Sequence, residues 1–116
     1  MGVWEQSPAR GHPKLDGGGS ATAFAAVSGS RWVLQGGSIG WQNMAAIATI
    51  SLMELDTTNS GVLWTFVASL SNGATHFFLG EHGLQASSSY SSRLLLNAGA
   101  VAGTISGMFC GYYTGQ

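Results

Sequence analysis

His76, Glu81 and His82 form the one cluster of titratable side chains whose types suit metal or acid–base chemistry. A metal site needs three or four ligands converging at about 2 Å, with an outer shell to orient them. His76 falls in the apolar run Thr75-His76-Phe77-Phe78, whereas Glu81 and His82 fall in a loop bounded by Gly80 and Gly83. No HExxH-type spacing links them, so they read as surface groups, and His12 lies far away in sequence. Glu54 and Asp56 straddle the end of a strand, while glycosidase chemistry needs two carboxyls facing across a cleft. Serines are abundant, yet no strand-to-helix elbow that would expose one as a nucleophile is expected, and Ser87-Ser88-Ser89 has loop composition. The glycine-rich runs lack the Lys-Ser/Thr of a phosphate loop. The single cysteine, Cys110, excludes an internal disulfide framework and a multi-cysteine zinc site, and reads as a small core or interface residue. The expectation is a non-enzymatic chain with no metal and no cofactor.

Aromatic side chains offer a different chemistry, stacking on sugar rings. Trp32, Trp41, Trp64, Tyr90, Tyr112 and Tyr113 are available for it. Trp64 alternates with Phe66 and reads as core. Trp41, between Gly40 and Gln42 in the least regular segment, is the candidate ligand-stacking residue.

The elements that would position these groups read as strands. Ala46 to Leu55 alternates, with Ala48, Ile50, Leu52 and Glu54 on one face. Val62 to Leu70 sets Leu63, Thr65, Val67 and Ser69 opposite Val62, Trp64, Phe66, Ala68 and Leu70. Shorter strands are predicted at Ala21–Val27, Arg31–Gln35, Thr75–Leu79 and Tyr90–Leu96, and a long one at Ala100–Tyr113. Gly36-Gly37, Asp56 to Gly61, Ser71-Asn72-Gly73 and Asn97-Ala98-Gly99 supply the turns. About seven strands with turns between them predict an all-β antiparallel sandwich, jelly-roll-like in topology, over residues 21–116.

Residues 1–20 differ in kind. They hold Glu5, Arg10, Lys14, Asp16, both prolines and the run Gly17-Gly18-Gly19, with no period. They read as an extended N-terminal arm ending in a hinge, too poor in apolar groups to order itself. Trp4 and Leu15 are its expected anchors on a partner, Arg10 and Lys14 its polar contacts. The alternative is an arm folded back on its own domain.

The stretch from Leu94 to Tyr113 carries no charge, and Gly99, Gly103, Gly107 and Gly111 recur every fourth residue. That spacing suits a glycine-zipper membrane helix at 94–113, but four is also an even period, which places the same glycines on one strand face. On that face they alternate with Val101, Ile105, Phe109 and Tyr113, opposite Met108, Cys110 and Tyr112. Glycine disfavours a water-exposed helix, and the flanking β-branched and aromatic residues favour a strand. No membrane partner is expected. Nor does MGVWEQSPARGHPK offer a basic start followed by an apolar run, so no cleaved leader is expected and residence in a cytoplasm is the default.

Charge sets the remaining constraint. Hydrophobic residues make up 45% of the 116 and charged residues 8%, with a formal net charge of -1. An average soluble domain carries about 25% charged residues. The balance gives no basic field for nucleic acid. A small domain exposes much of its surface, and here that surface lacks the charges that normally keep strand edges apart. The chain is therefore expected to reach its stable state against neighbouring subunits, as a homo-oligomer or as part of a larger lattice.

The arm running through Gly17-Gly18-Gly19 and the closing pattern Leu94-Leu95-Leu96-Asn97-Ala98-Gly99 into Val101-Ala102-Gly103-Thr104 resemble those of small accessory proteins of viral and bacteriophage particles, including capsid decoration or cement proteins. The resemblance implies a sandwich that trimerises, an arm that reaches a shell of major capsid protein, and location in the virion after synthesis in a host cytoplasm. No functional position is carried over from it. Two classes stand side by side: a structural virion component, and a carbohydrate-binding module. Deleting residues 1–19 is expected to abolish incorporation into a particle under the first and to leave glycan binding intact under the second.

Overall fold

The computed structural model describes residues 7–27, 29–55, 60–86, 92–99 and 101–114. Among the described residues ten strands follow one another and no helix occurs: β1 (Ser7–Gly11), β2 (Lys14–Asp16), β3 (Gly19–Phe24), β4 (Arg31–Met44), β5 (Ala48–Leu55), β6 (Ser60–Ala68), β7 (Ser71–Phe78), β8 (Leu84–Gln85), β9 (Arg93–Ala98) and β10 (Thr104–Thr114).

All pairings are antiparallel, and their logic is that of one long hairpin. β5 pairs with β6 at its tip; β4 then pairs with β7 and β8, β3 with β9, and β1 and β2 with β10. Two further pairings, β10 with β4 and β5 with β9, roll this hairpin into two sheets. One sheet runs β1-β10-β4-β7, with β2 continuing β1 and β8 continuing β7; the other runs β3-β9-β5-β6. Taking β1–β2 and β7–β8 as interrupted single strands leaves eight, in jelly-roll connectivity.

The predicted alternation sets the two faces. Ile50 and Leu52 of β5, Leu94 and Leu96 of β9, and Ile105 and Phe109 of β10 all point inward with no exposed surface. Trp32, Leu34, Ile39 and Trp41 of β4 complete the core with Phe24. Within 94–113, residues 94–98 and 104–113 are thus strand. No helix among the described residues is long and apolar enough to cross a membrane, so the glycine-zipper reading is set aside.

The arm departs from expectation. Trp4 lies outside the described residues. Residues 7–16 are extended but pair with β10 along the domain's own sheet, Pro8 opposite Tyr112 and Leu15 opposite Ile105. Leu15 is 2% exposed, so it anchors its own core and is closed to a partner. The reason is the pairing itself: β10 offers a full row of backbone groups, which compensates a segment poor in apolar side chains. Gly17, Gly18 and Gly19, with φ of 82°, 97° and 98°, turn the chain from β2 in one sheet to β3 in the other. The expected hinge is therefore a turn inside the sandwich, and no domain boundary falls at residue 20.

Tyr113 ties β10 to the chain following β3, its hydroxyl donating to the Ala25 carbonyl at 2.7 Å. Burial raises the phenol's pKa above its ordinary value. Because the folded chain favours the neutral form, this contribution is complete below the unfolded tyrosine pKa, near 10, and is lost as pH rises through the higher folded value. Tyr113→Phe is expected to cost about 1 kcal/mol at neutral pH and to flatten the fall in stability above about pH 10, read by urea unfolding across pH.

Candidate functional site

The outer face of the six-stranded sheet gathers Arg10, Lys14, His76 and Cys110 among the residues singled out above. Its register lays them out in rows across the strands. Arg10, Cys110, Gly36 and Phe78 form one, and Met108, Ser38 and His76 the next. Lys14, Ser106, Gly40 and Ala74 form a third. Down the middle, β4 contributes a floor of Gly36, Ser38 and Gly40 with almost no side-chain relief. Met108, 58% exposed, stands on one flank, and Phe78, 82% exposed, on the other. Charge is confined to the rim, where exposed Lys14 and Asp16 face each other at 3.8 Å. An exposed pair of this kind contributes little stability.

At one end of this face lies a cleft of about 520 Å³ lined by Pro8, Gln35, Glu81, His82, Gly111 and Tyr112. Gln35 is the extra residue of a β-bulge, since Cys110 pairs with Gly36 and Gly111 already with Leu34. The bulge swings its amide toward the turn after β7, where Nε2 donates to the Glu81 carbonyl at 2.9 Å. That bond fixes the turn carrying Glu81 and His82 beside Tyr112. The cleft combines an aromatic ring, a proline, a carboxylate, an imidazole and an amide. His76 lies elsewhere, on β7 beside Ser38. Among the described residues no three of His, Cys, Asp and Glu come together as a metal site.

Several readings need correction. Trp41 is not an exposed platform: it is 7% exposed, paired between Ile105 and Gly73, with its indole lying over Gly73. Its Nε1 donates to Ser69 Oγ at 3.3 Å. The strand predicted to stop at Gln35 runs on to Met44, which puts Trp41 on the inward phase. Of the two places read for Cys110, core or interface, the core is excluded, since it is exposed on the outer face. Glu54 accepts a hydrogen bond from Ser92 Oγ at 2.8 Å, while Asp56, Ser87 to Ser89 and Tyr90 lie outside the described residues. Arg10 and Lys14 are exposed on the sheet's outer face, where neighbours can reach them. Tyr112 was visible in the sequence as an aromatic; that Pro8 and Gln35 join it follows from strand pairing and a bulge, which leave no local signal.

No protein-family model matches this chain, and no curated protein matches it either.

Proposed function

We propose that this chain is a non-enzymatic structural component of a larger protein assembly, of the class of virion decoration or accessory proteins, and that the outer face of the six-stranded sheet is its docking surface. One observation carries this reading. In a chain with four Lys and Arg and five Asp and Glu, that face presents Phe78 and Met108 to solvent around a flat Gly36-Ser38-Gly40 floor. A smooth, uncharged centre with charges at its rim is the usual anatomy of a protein–protein contact. The partner is a second copy or the lattice of a major capsid protein.

The cleft beside Tyr112 favours a second reading, a carbohydrate-binding module. Aromatic stacking together with an amide and a carboxylate is the ordinary means of holding a sugar. Paired variants separate the two. Phe78→Lys with Met108→Lys is expected to lower the light-scattering mass of the assembly, or abolish co-sedimentation with particles, while leaving thermal unfolding unchanged. Tyr112→Ala is expected to leave both untouched. Glycan-array binding that disappears in Tyr112→Ala and survives the double lysine variant would replace the assembly reading with the second.

A further inference from the structure

The two sides of the sandwich are finished differently. On one, β1 and β2 pack against β3 and close the gap between the sheets. On the other, β6 ends its sheet, and among the described residues no strand pairs with its outer edge. β6 is nine residues long and has neither charge nor proline, and the whole stretch from Thr57 to Gly80 lacks Asp, Glu, Lys and Arg. Of the devices that normally guard an edge it carries one, a bulge at Leu63, beyond which the ladder to β5 is regular from Trp64 to Ala68. Among the described residues, four of the eight large exposed hydrophobics, Val62, Trp64, Val67 and Leu70, lie on this strand and the turn after it.

By side-chain class, the centre of β6 also reads alike in both directions. About Thr65, Trp64 mirrors Phe66 and Leu63 mirrors Val67; the bulge takes Val62 out of the mirror, since it is exposed where Ala68 is fully buried. An antiparallel self-pair is the one arrangement in which such symmetry matters, because each residue then faces its mirror position in the other copy. We propose that β6 pairs with β6 of a second copy, antiparallel about a two-fold axis at Thr65, joining the two four-stranded sheets into one of eight. Trp64 of each copy then faces Phe66 of the other, and threonine faces threonine at the axis. Both are favourable cross-strand combinations. The inner aromatic run, in which Trp64 and Phe66 lie 5.8 and 6.0 Å from Phe77, continues from one copy into the next. This inference rests on the assembly reading and names its first step as a two-fold contact, where the resemblance to decoration proteins implies a three-fold one.

The test places cysteine on the axis, in a Cys110→Ser background because Cys110 is itself exposed. Residues directly opposite in an antiparallel pair are about 4.5–5.5 Å apart at Cα, within disulfide reach. Thr65→Cys is expected to give a covalent dimer under mild oxidation, and Val27→Cys, an exposed position away from the edge, is not. Thr65→Lys sets like charges opposite each other and is expected to weaken dimerisation at least about tenfold by sedimentation, with thermal unfolding of the monomer unchanged. If the chain associates but Thr65→Cys does not cross-link, or Thr65→Lys keeps the wild-type mass, edge pairing is overturned and the assembly reading stands. A chain that stays monomeric at every concentration, alone and with particles, overturns both.

Discussion

Replacing Phe109 by alanine is expected to lower the unfolding free energy by about 3–5 kcal/mol. Phe109 is fully buried at the centre of β10, its ring 6.0 Å from that of Phe77. Glycines make room for it: a Cβ at Gly37 would stand 2.6 Å from its Cδ1, and one at Gly107 2.6 Å from its Cε2. The ring therefore fills the space that two neighbouring backbones leave. Once it is gone, those glycines have no side chains to swing into the void, and the β10–β4 pairing keeps the backbones from closing on it. The cavity persists, which puts the cost in the upper part of the range for aromatic truncations. Denaturant unfolding at a fixed slope gives the number, and a loss below about 1 kcal/mol would mean that the two sheets do not meet at Phe109.

The same residue shows where sequence was readable and where it was not. Alternation in β5 and β10 put Ile50 with Leu52, and Ile105 with Phe109, on one face and Met108 with Cys110 on the opposite one, because a two-residue period is a local property; which face is buried is decided by the sheet packed against it. Gly36-Gly37 had the local appearance of a turn. The long-range partner, the Phe109 ring that needs a glycine opposite, makes it strand instead, and nothing near residue 36 announces it. Trp41 was misread for that reason: with β4 ended early, its phase was lost. Leu15 failed in the other direction, since composition alone hid that β10 would accept a neighbour there. The proposed docking face inherits this pattern. Alternation set Met108 on the face opposite Phe109, whereas its alignment with Ser38 and His76 depends on register between strands far apart in the chain.

Deleting residues 1–19 is expected to abolish cooperative unfolding altogether. The cut removes β1 and β2, buried Ala9 and Leu15, and every backbone bond along the outer side of β10 from Thr104 to Tyr113. Leu15 alone accounts for about 2–5 kcal/mol by its burial, against a total margin of about 5–15 kcal/mol for a whole domain. Stripping β10 would also open the closed side of the sandwich, where Pro13 accepts a hydrogen bond from the Gly107 amide at 2.8 Å, and expose Ile105 and Phe109 to water. Calorimetry should show no sharp transition for the truncated chain, and dye binding should report exposed apolar surface. An unchanged melting temperature would mean that β1 and β2 are appended to a sandwich complete without them. The deletion therefore cannot separate particle incorporation from glycan binding, since both would fail together in an unfolded chain. Arg10→Ala with Lys14→Ala can: both side chains are exposed on the outer face, so the sheet stays intact and a loss of docking is a loss of contacts alone.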